Sequence, residues 1–405
     1  MRIAYPTLWS RLSRSACREQ TANTVAALAR RGHEVTLLAP RGADDPVLSA
    51  ADIRDWFEID GDIHLIQHPS RWGGENLAPS LMWLRQAFAH PALLSADVIL
   101  SRAPAMVVFG GLAPRPFATD QYRPWPDEFP IARLWMRRTA RSANCLGLIL
   151  HSDYAAQSYR RIGVPEDRLL VAHNGARPGT DDSLLDKHAA RLATGLPQDR
   201  AIALYAGRIN SQKGLDQILA MAARRPEVLF VMVGSERDGP VQREAAAHPN
   251  VQVVPWQTPG ALRSWLAAAD VLVIPPSRAP LEQYRNCVLP LKLFAYLAAG
   301  RPILAPFAPD TAEVLTDQET ALLVPPGDSA RATEALDRIL GDPKLAARLG
   351  AAAKALSVTL TWDARASRIT AFLARRLDEA GSRARHGVAA NLRLAARTAA
   401  VSRSA

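Results

Sequence analysis

Short apolar runs alternate with helix-length amphipathic stretches along almost the whole chain, and this alternation limits the available folds more than any other feature. IAY (3–5), EVTLLA (34–39), DIHLI (62–66), ADVILS (96–101) and CLGLIL (145–150) have strand length and apolar character. Between them lie stretches of helical length: 17–31, closed by Gly32, and others near 80–94, 130–143 and 152–162. Strands buried on both faces and joined by crossover helices produce this pattern, so it predicts parallel sheets covered by helices on both sides.

The series restarts after NGARPGTDDS (174–183), a Gly-, Pro- and Asp-rich segment that reads as a turn-laden crossover. AIALYAG (201–207), VLFVMVG (228–234), VQVV (251–254), VLVIPP (271–276), PILA (302–305) and ALLVPP (321–326) form a second set of strands. Helices are expected near 212–224, 260–268, 290–299 and 329–340. Two α/β halves joined by a hinge imply a cleft, and ligands of such sheets bind beyond the carboxyl ends of the strands. Near the end, Trp362, Ile369, Phe372, Leu373 and Leu377 recur at helical spacing. The sequence does not assign that apolar face to either half.

Composition removes several classes. Hydrophobic residues make up 48% of the 405 and charged residues 22%, which is globular rather than disordered. No run reaches the roughly 18 apolar residues of a membrane span. The opening MRIAYPTLWSRLSR lacks the apolar core of a signal peptide. Cys17, Cys145 and Cys287 lie far apart without a CxxC, so neither a disulfide framework nor a cysteine zinc site is expected, and a reducing cytoplasm fits. The net charge of +10 raises the question of nucleic acid. Residues 380–405 carry five Arg and no acid, whereas 181–379 are near neutral, so half the excess sits in a tail and no nucleic-acid partner is expected.

The stretch with the most chemistry is YAGRINSQKGLDQIL (205–219). A strand ends at Gly207, a polar loop follows, and a helix begins near Lys213 and Gly214. Such a loop gathers free backbone N–H groups and the positive end of a helix, which suits phosphate, and Arg208 and Lys213 add two cations. Taken alone, a solvated loop with incidental charges is the plainer reading. Other chemistries lack support: there is no convincing D-x-D, no G-x-G-x-x-G after the first strand and no G-x-S-x-G. His64 and His68 lie on a strand before Pro69, where helical ligand spacing does not apply, so no metal site is expected.

GRINSQKGLDQIL resembles the G-R-x-x-x-x-K-G element of retaining nucleotide-sugar glycosyltransferases of the glycosyltransferase-B fold (family-4-like, group 1). The resemblance continues, in the family's order, through LLVAHNG (169–175), VMVGS (231–235), LPLKLFAYLAAGRPILA (289–305) and ALLVPPGD (321–328). In the first half, RRGHEVTLLAP and DQYRPWPDE (120–128) are similar to family counterparts. The resemblance implies an α/β chain with two Rossmann-like domains facing across a cleft. An acceptor domain would span 1–175 and a nucleotide-sugar donor domain 176–360, followed by a helix at 361–379 and a basic tail at 380–405. The implied activity moves a sugar from a nucleotide-diphosphate sugar to a glycan or lipid-linked acceptor, with retention and without a metal or other cofactor. The implied location is cytoplasmic and peripheral at the inner face of the membrane.

Residue by residue, the resemblance implies that Arg208 and Lys213 hold the donor diphosphate, on the loop bounded by Gly207 and Gly214. Trp256 and Gln257 match the loop whose backbone reads the nucleobase. Val288, Leu289, Pro290, Leu291 and Lys292 match the segment lying against donor sugar and phosphate. Asp120, followed by Tyr122 and Arg123, stands where many members have a histidine near the cleft. It is a candidate for orienting an acceptor hydroxyl or taking its proton, beside a loop-structuring role.

Three departures stand out. Ala295 replaces the Glu that grips the ribose in the family, and Cys287, eight residues earlier, replaces its acidic partner; Glu282 lies near but at another spacing. TLWSRLSRSA (7–16) replaces a Gly-Gly loop and brings Arg11 and Arg14 as phosphate candidates. A degenerate member that binds a nucleotide sugar or partner protein without turnover is therefore the alternative, and a sugar-nucleotide epimerase the third. MRRTAR (136–141) with Trp135, and the tail with Val388, Leu392, Leu394 and Val401, raise contact with an anionic membrane against a solvated helix face.

Overall fold

The computed structural model describes residues 1–73, 76–177, 186–282 and 289–401, with the backbone alone for Leu281 and 383–401. The first sheet comprises β1 (Arg2–Pro6), β2 (Glu34–Arg41), β3 (Ile63–Pro69), β4 (Val98–Ser101), β5 (Phe117–Gln121), β6 (Cys145–Leu150) and β7 (Leu169–Val171). Their order is β3-β2-β1-β4-β5-β6-β7. The second contains β8 (Ile202–Ala206), β9 (Leu229–Ser235), β10 (Val251–Pro255), β11 (Val271–Val273), β12 (Ile303–Pro306) and β13 (Leu322–Val324). These run β10-β9-β8-β11-β12-β13, and the strand pairings of both sheets are parallel.

Each sheet starts at its centre, winds to one edge, and returns across the starting strand. The order therefore reverses between β1 and β4 and again between β8 and β11, and those switch points open the crevices where ligands bind in doubly wound sheets. The apolar runs are central strands for a simple reason. β4, β6 and β8 are buried along their whole length, so both faces need apolar cover; β5, equally buried but with Thr119, Asp120 and Gln121 in it, was not among the apolar runs. Each fully buried Leu or Val contributes about 1.5–3 kcal/mol relative to exposure.

The apolar face at the end of the chain belongs to one helix, Trp362–Val401. Trp362, Ile369, Phe372 and Leu373 are buried with Ile3, Leu28 and Ile149, so the chain returns from the second lobe to pack on the first. The helical backbone continues through 379–380, where the sequence suggested a boundary. The side chains of the basic tail, including Val388, Leu392, Leu394 and Val401, lie outside the described residues. Alanine-rich Pro343–Thr359 is also a helix and was not anticipated, because alanine gives weak periodicity.

The chain passes between the lobes twice, and the passages touch. Ala176 N donates to Leu360 O (2.7 Å), and Trp362 N donates to Ala176 O (3.3 Å). A Cβ on Gly175 would lie 2.2 Å from the Thr361 carbonyl carbon and from Trp362 N, so this crossing tolerates no side chain. Other contacts hold the lobes together. Glu313 Oε1 accepts from Asp153 N (2.6 Å) and lies 2.7 Å from His173 Nε2, while Glu58 Oε2 accepts from Gly260 N (2.6 Å). Gly175→Ala should lower stability by at least about 1–3 kcal/mol, the usual cost of overpacking. Gly341→Ala, whose added Cβ meets no atom within 4 Å, should show no such loss. Urea unfolding of the two variants measures the difference.

Candidate functional site

β8 leads directly into the loop that the sequence singles out. Gly207 has φ +142°, where a side chain is disfavoured. A Cβ there would also meet Lys292 Nζ at 2.8 Å and Tyr205 Oη at 3.0 Å. The missing side chain thus leaves room for the Lys292 ammonium, which lies 3.7 Å from the centre of the Tyr205 ring in a cation–π arrangement. Tyr205 Oη donates to Arg208 O (2.8 Å), fixing the next residue of the turn. Asn210 then accepts from Gln212 N (3.1 Å), and the short turn Ser211–Lys213 ends at Gly214, which has φ +66°. A Cβ on Gly214 would lie 2.1 Å from Ser277 Cβ.

Helix Leu291–Ala299 delivers Lys292 to this loop. Its Tyr296 is fully buried, accepts from Ala206 N (2.7 Å) and donates to Val273 O (3.4 Å), so the helix is tied to the end of β8 one residue before Gly207. Leu289 is buried in the second-lobe core, Pro290 precedes the helix, and Leu291 packs against the core of the first lobe. Ala295 is half-buried beside the second-lobe core. Val288 and Cys287 lie outside the described residues, and Glu282 is exposed at the end of the short helix Ala279–Glu282.

The cations here repel one another. Burial, and then the charge of Lys213, holds the Lys292 ammonium well below the ordinary lysine pKa. Burial, and then Arg208, lowers Lys213 in the same direction. Arg208 is half exposed, 3.8 Å from Glu236. Among the described residues, neither lysine forms an ion pair with a carboxylate. The structure therefore brings Gly207, Arg208, Lys213, Gly214 and Lys292 together at one strand end with an excess of positive charge.

Trp256 and Gln257 lie just beyond the end of β10. Trp256 N donates to Ser235 O (2.9 Å), and Gln257 Nε2 donates to Pro255 O (3.1 Å). The first lobe reaches both parts of this region through Arg14. Its guanidinium carbon lies 4.4 Å from the Trp256 ring centre, and its carbonyl accepts from Arg208 Nη2 (3.2 Å). Arg11 instead pairs with Asp45 within its own lobe.

Asp120 stands apart from this group. On β5 it is fully buried, accepting from Arg365 Nη2 (2.7 Å) and Gln20 Nε2 (3.0 Å), with His151 Nε2 3.0 Å away. Burial alone would raise its carboxyl pKa, but Arg365, His151 and Arg102 outweigh it and hold the group far below the usual carboxylate range. His151 is pushed down to about 3 by burial and by Arg102, against the opposing pull of Asp120, so it is neutral near pH 7. The geometry makes Asp120 the anion of an interior network. The sequence does not single out His151; Ser152 beside it caps the following helix by accepting from Ala155 N (3.2 Å). The signal for His151 was a polar ring at the carboxyl end of an apolar strand, level with the end of the Asp120 strand.

Among the described residues no three His, Cys, Asp or Glu side chains form a candidate metal site. Asp120→Asn should cost about 3–5 kcal/mol by stranding buried Arg365. Because the native carboxyl pKa is depressed, its contribution is present above the unfolded value near 3.9 and is lost as pH falls below it. The variant should therefore show a flatter acid limb in unfolding measured from pH 6 to pH 2.

Comparison with known proteins places each lobe. Residues 19–178 match the model described as Glycosyltransferase Family 4, and residues 186–356 match Glycosyl transferases group 1. A D-inositol 3-phosphate glycosyltransferase of Streptomyces scabiei is 32% identical over 237 residues, covering 53% of this chain and 50% of the relative. An alpha-maltose-1-phosphate synthase of Mycolicibacterium smegmatis is 28% identical over 346 residues, 73% of this chain and 85% of that protein. The chain spans about half the length of the first curated relatives it matches. Among solved structures, Thermosynechococcus elongatus sucrose-phosphate synthase superposes with a TM-score of 0.73 at 20% identity, over 94% of this chain and 99% of that one. Anabaena HepE in complex with UDP-glucose gives 0.67 at 16%, over 93% and 100%. At these identities the superpositions establish the shared fold.

Proposed function

We propose a transfer reaction for this chain, which belongs to the group 1 glycosyltransferases of the glycosyltransferase-B fold. A sugar moves from a nucleotide-diphosphate sugar to a glycan or lipid-linked acceptor, with retention of anomeric configuration and without a metal. The observation that carries this reading is the cluster of Arg208, Lys213 and Lys292, in which the lysines repel each other and lack carboxylate partners among the described residues. A diphosphate supplies the missing negative charge. As the bond from the anomeric carbon to the phosphate oxygen breaks, charge builds on the departing diphosphate, and cations already in place stabilise it. The acceptor oxygen forms the new bond, and its proton leaves with the diphosphate. That HepE is solved with UDP-glucose supports the donor class, leaving base and sugar open.

The departures from the family pattern at Ala295 and Cys287 define a second reading, a degenerate member that binds a nucleotide sugar or a partner protein without turnover. Calorimetry with nucleoside diphosphates, run beside a transfer assay over a donor and acceptor panel, separates the two. Tight binding with no transfer supports the binder; transfer to any acceptor excludes it.

Membrane contact also belongs to this proposal. Ile131, Leu134 and Trp135 are 94%, 60% and 58% exposed, and Arg137 and Arg138 are exposed beside them. Apolar residues interleaved with arginines suit the surface of an anionic bilayer, and a lipid-linked acceptor would be presented there. Among the described residues no helix is long and apolar enough to cross a membrane.

Replacing both Arg208 and Lys213 with Ala should lower turnover by at least about 100- to 1000-fold, the usual loss for one positioned donor, with the unfolding midpoint unchanged. Unchanged turnover refutes the assignment. Diphosphate binding requires protonated lysines, so affinity should start to fall below the ordinary lysine pKa of about 10.4 as pH rises, and Lys292→Met should reduce that dependence. Vesicles containing phosphatidylglycerol should sediment the protein, and replacing Ile131 and Trp135 with Ala should weaken that binding.

A further inference from the structure

We propose that Glu313 is a positioning residue for transfer, seconded by Glu58. Each carboxylate crosses between the lobes, takes N–H groups at the start of a helix on the other side, and so holds the lobes closed over the donor loop. The clasp itself rests on the contacts below. Only its consequence for transfer rests on the transferase reading.

The two contacts are reciprocal. Glu313 follows β12 in the second lobe and faces helix Asp153–Arg161 of the first. Asp153 N donates to Oε1 (2.6 Å) and Tyr154 N to Oε2 (3.3 Å), while Ser152 Oγ caps Ala155 N. The first two N–H groups of this helix, which no turn of the helix can satisfy, are thus met from the other lobe. Oε1 also lies 2.7 Å from His173 Nε2, whose N–H must donate because a carboxylate only accepts. The side chains of Glu313 and His173 are 14% and 19% exposed, so the contact is largely shielded from water. In the mirror contact, Glu58 ends helix Ala50–Phe57 of the first lobe and faces helix Pro259–Ala268 of the second. Pro259 has no N–H, Thr258 Oγ1 accepts from Ala261 N (3.3 Å), and Glu58 Oε2 takes the N–H between them, that of Gly260 (2.6 Å). Glu58 adopts φ +47°, a conformation unusual outside glycine, and Arg177 holds it there by donating to the carbonyls of Phe57 (2.5 Å) and Glu58 (3.3 Å).

Their placement makes the pair a clasp. Glu58 precedes β3 and Gly260 follows β10, each an edge strand of its sheet. Asp153 and His173 follow β6 and β7, and Glu313 follows β12, toward the opposite edges. The lobes are therefore fastened on opposite flanks of both sheets, and a rotation that pivots on one contact breaks the other. A hydrogen bond to a charged group shifts an equilibrium by about 10- to 150-fold. Shielded Glu313 accepts two from backbone, whereas Glu58 is exposed and accepts one, so Glu313 dominates. In this fastened state the carbonyl of Arg14 accepts from Arg208, and its guanidinium covers the Trp256 ring. Parting the lobes uncovers the same loop to water. In the proposed reaction a closed cleft keeps water from the anomeric carbon. Without the clasp the bond to the diphosphate still breaks, but water supplies the new oxygen and its proton leaves with the diphosphate, releasing free sugar.

Small-angle X-ray scattering of the full chain reads the relation of the lobes without turnover. The wild-type curve should match the fastened arrangement, and Glu313→Ala should raise the radius of gyration. Glu313→Gln keeps one acceptor oxygen and loses the charge, so it should fall between the two; it carries the test if Glu313→Ala fails to fold. Adding Glu58→Ala should open either variant further. A wild-type curve that fits only separated lobes, or Glu313 variants that scatter like the wild type, overturns the clasp. With an active donor and acceptor pair, Glu313→Ala should raise the ratio of donor hydrolysis to transfer at least about tenfold. The kcat for transfer should fall by a larger factor than the donor KM rises. An unchanged ratio overturns the positioning role, because a contact that only stabilises the fold lowers the unfolding midpoint and leaves the partition alone. Failure of transfer in the wild type tests only the transferase reading, because scattering does not depend on turnover.

Discussion

A single buried carboxylate organises the first lobe and its link to the second. Asp120 sits on β5 with no exposed surface, and Arg365 reaches it from the helix that has just returned across the hinge. Gln20 joins it from helix Ala16–Arg30, and His151 from the end of β6. One anion therefore holds together two helices and two strands that lie far apart in sequence. An exposed pair such as Arg331–Glu334, with both side chains about two-thirds exposed, contributes at most about 0.2–1 kcal/mol and could not fix a helix in this way. The close crossing at Gly175 allows the return helix to reach Asp120 from the correct side.

The same economy of acidic groups shapes the chemistry. In each lobe cations gather near a switch point of the sheet, and the described carboxylates do not fully neutralise them. In the second lobe the excess falls on Lys213 and Lys292; in the first it falls on Arg102. The loop between β1 and helix Ala16–Arg30 touches both places. Trp9 and Arg102 line the same small cavity, and Arg14 lies against Trp256 and Arg208. A bulkier, more basic loop than the family's Gly-Gly turn thus connects the two clusters of positive charge.

The parts of this architecture visible in the sequence were those set by local pattern. β4, β6 and β8 could be read because strands buried on both faces are mostly apolar, whereas β5 escaped because its sequence, FATDQ, ends in Thr119, Asp120 and Gln121. Arg208 and Lys213 could be read because they share one loop. What escaped depends on contacts distant in the chain. Asp120 meets Arg365 across 245 residues, and no spacing rule reports such a pair. His151 directly precedes the cap Ser152, yet its meaning comes from the neighbouring strand, which carries Asp120. Lys292 could be placed near the donor by resemblance, but its seat on Tyr205 and in the space left by Gly207 follows from the fold. The destination of helix Trp362–Val401 was equally closed to inspection, because an apolar face states that it is covered and not by what.

Ala295 bears on binding and catalysis differently. A carboxylate on the ribose hydroxyls contacts a part of the donor that does not change as the glycosidic bond breaks. Such a contact acts equally on ground and transition states, so its loss raises KM and leaves the chemical step alone. In the proposed transfer, the cations at the end of β8 would act on charge that appears only as the diphosphate departs. Their arrangement depends on Tyr296 holding Ala206, on the open space at Gly207 and on the ring of Tyr205, none of which involves position 295. Replacing the family's Glu by Ala therefore weakens the case for tight nucleotide binding while leaving the structural basis for transfer intact.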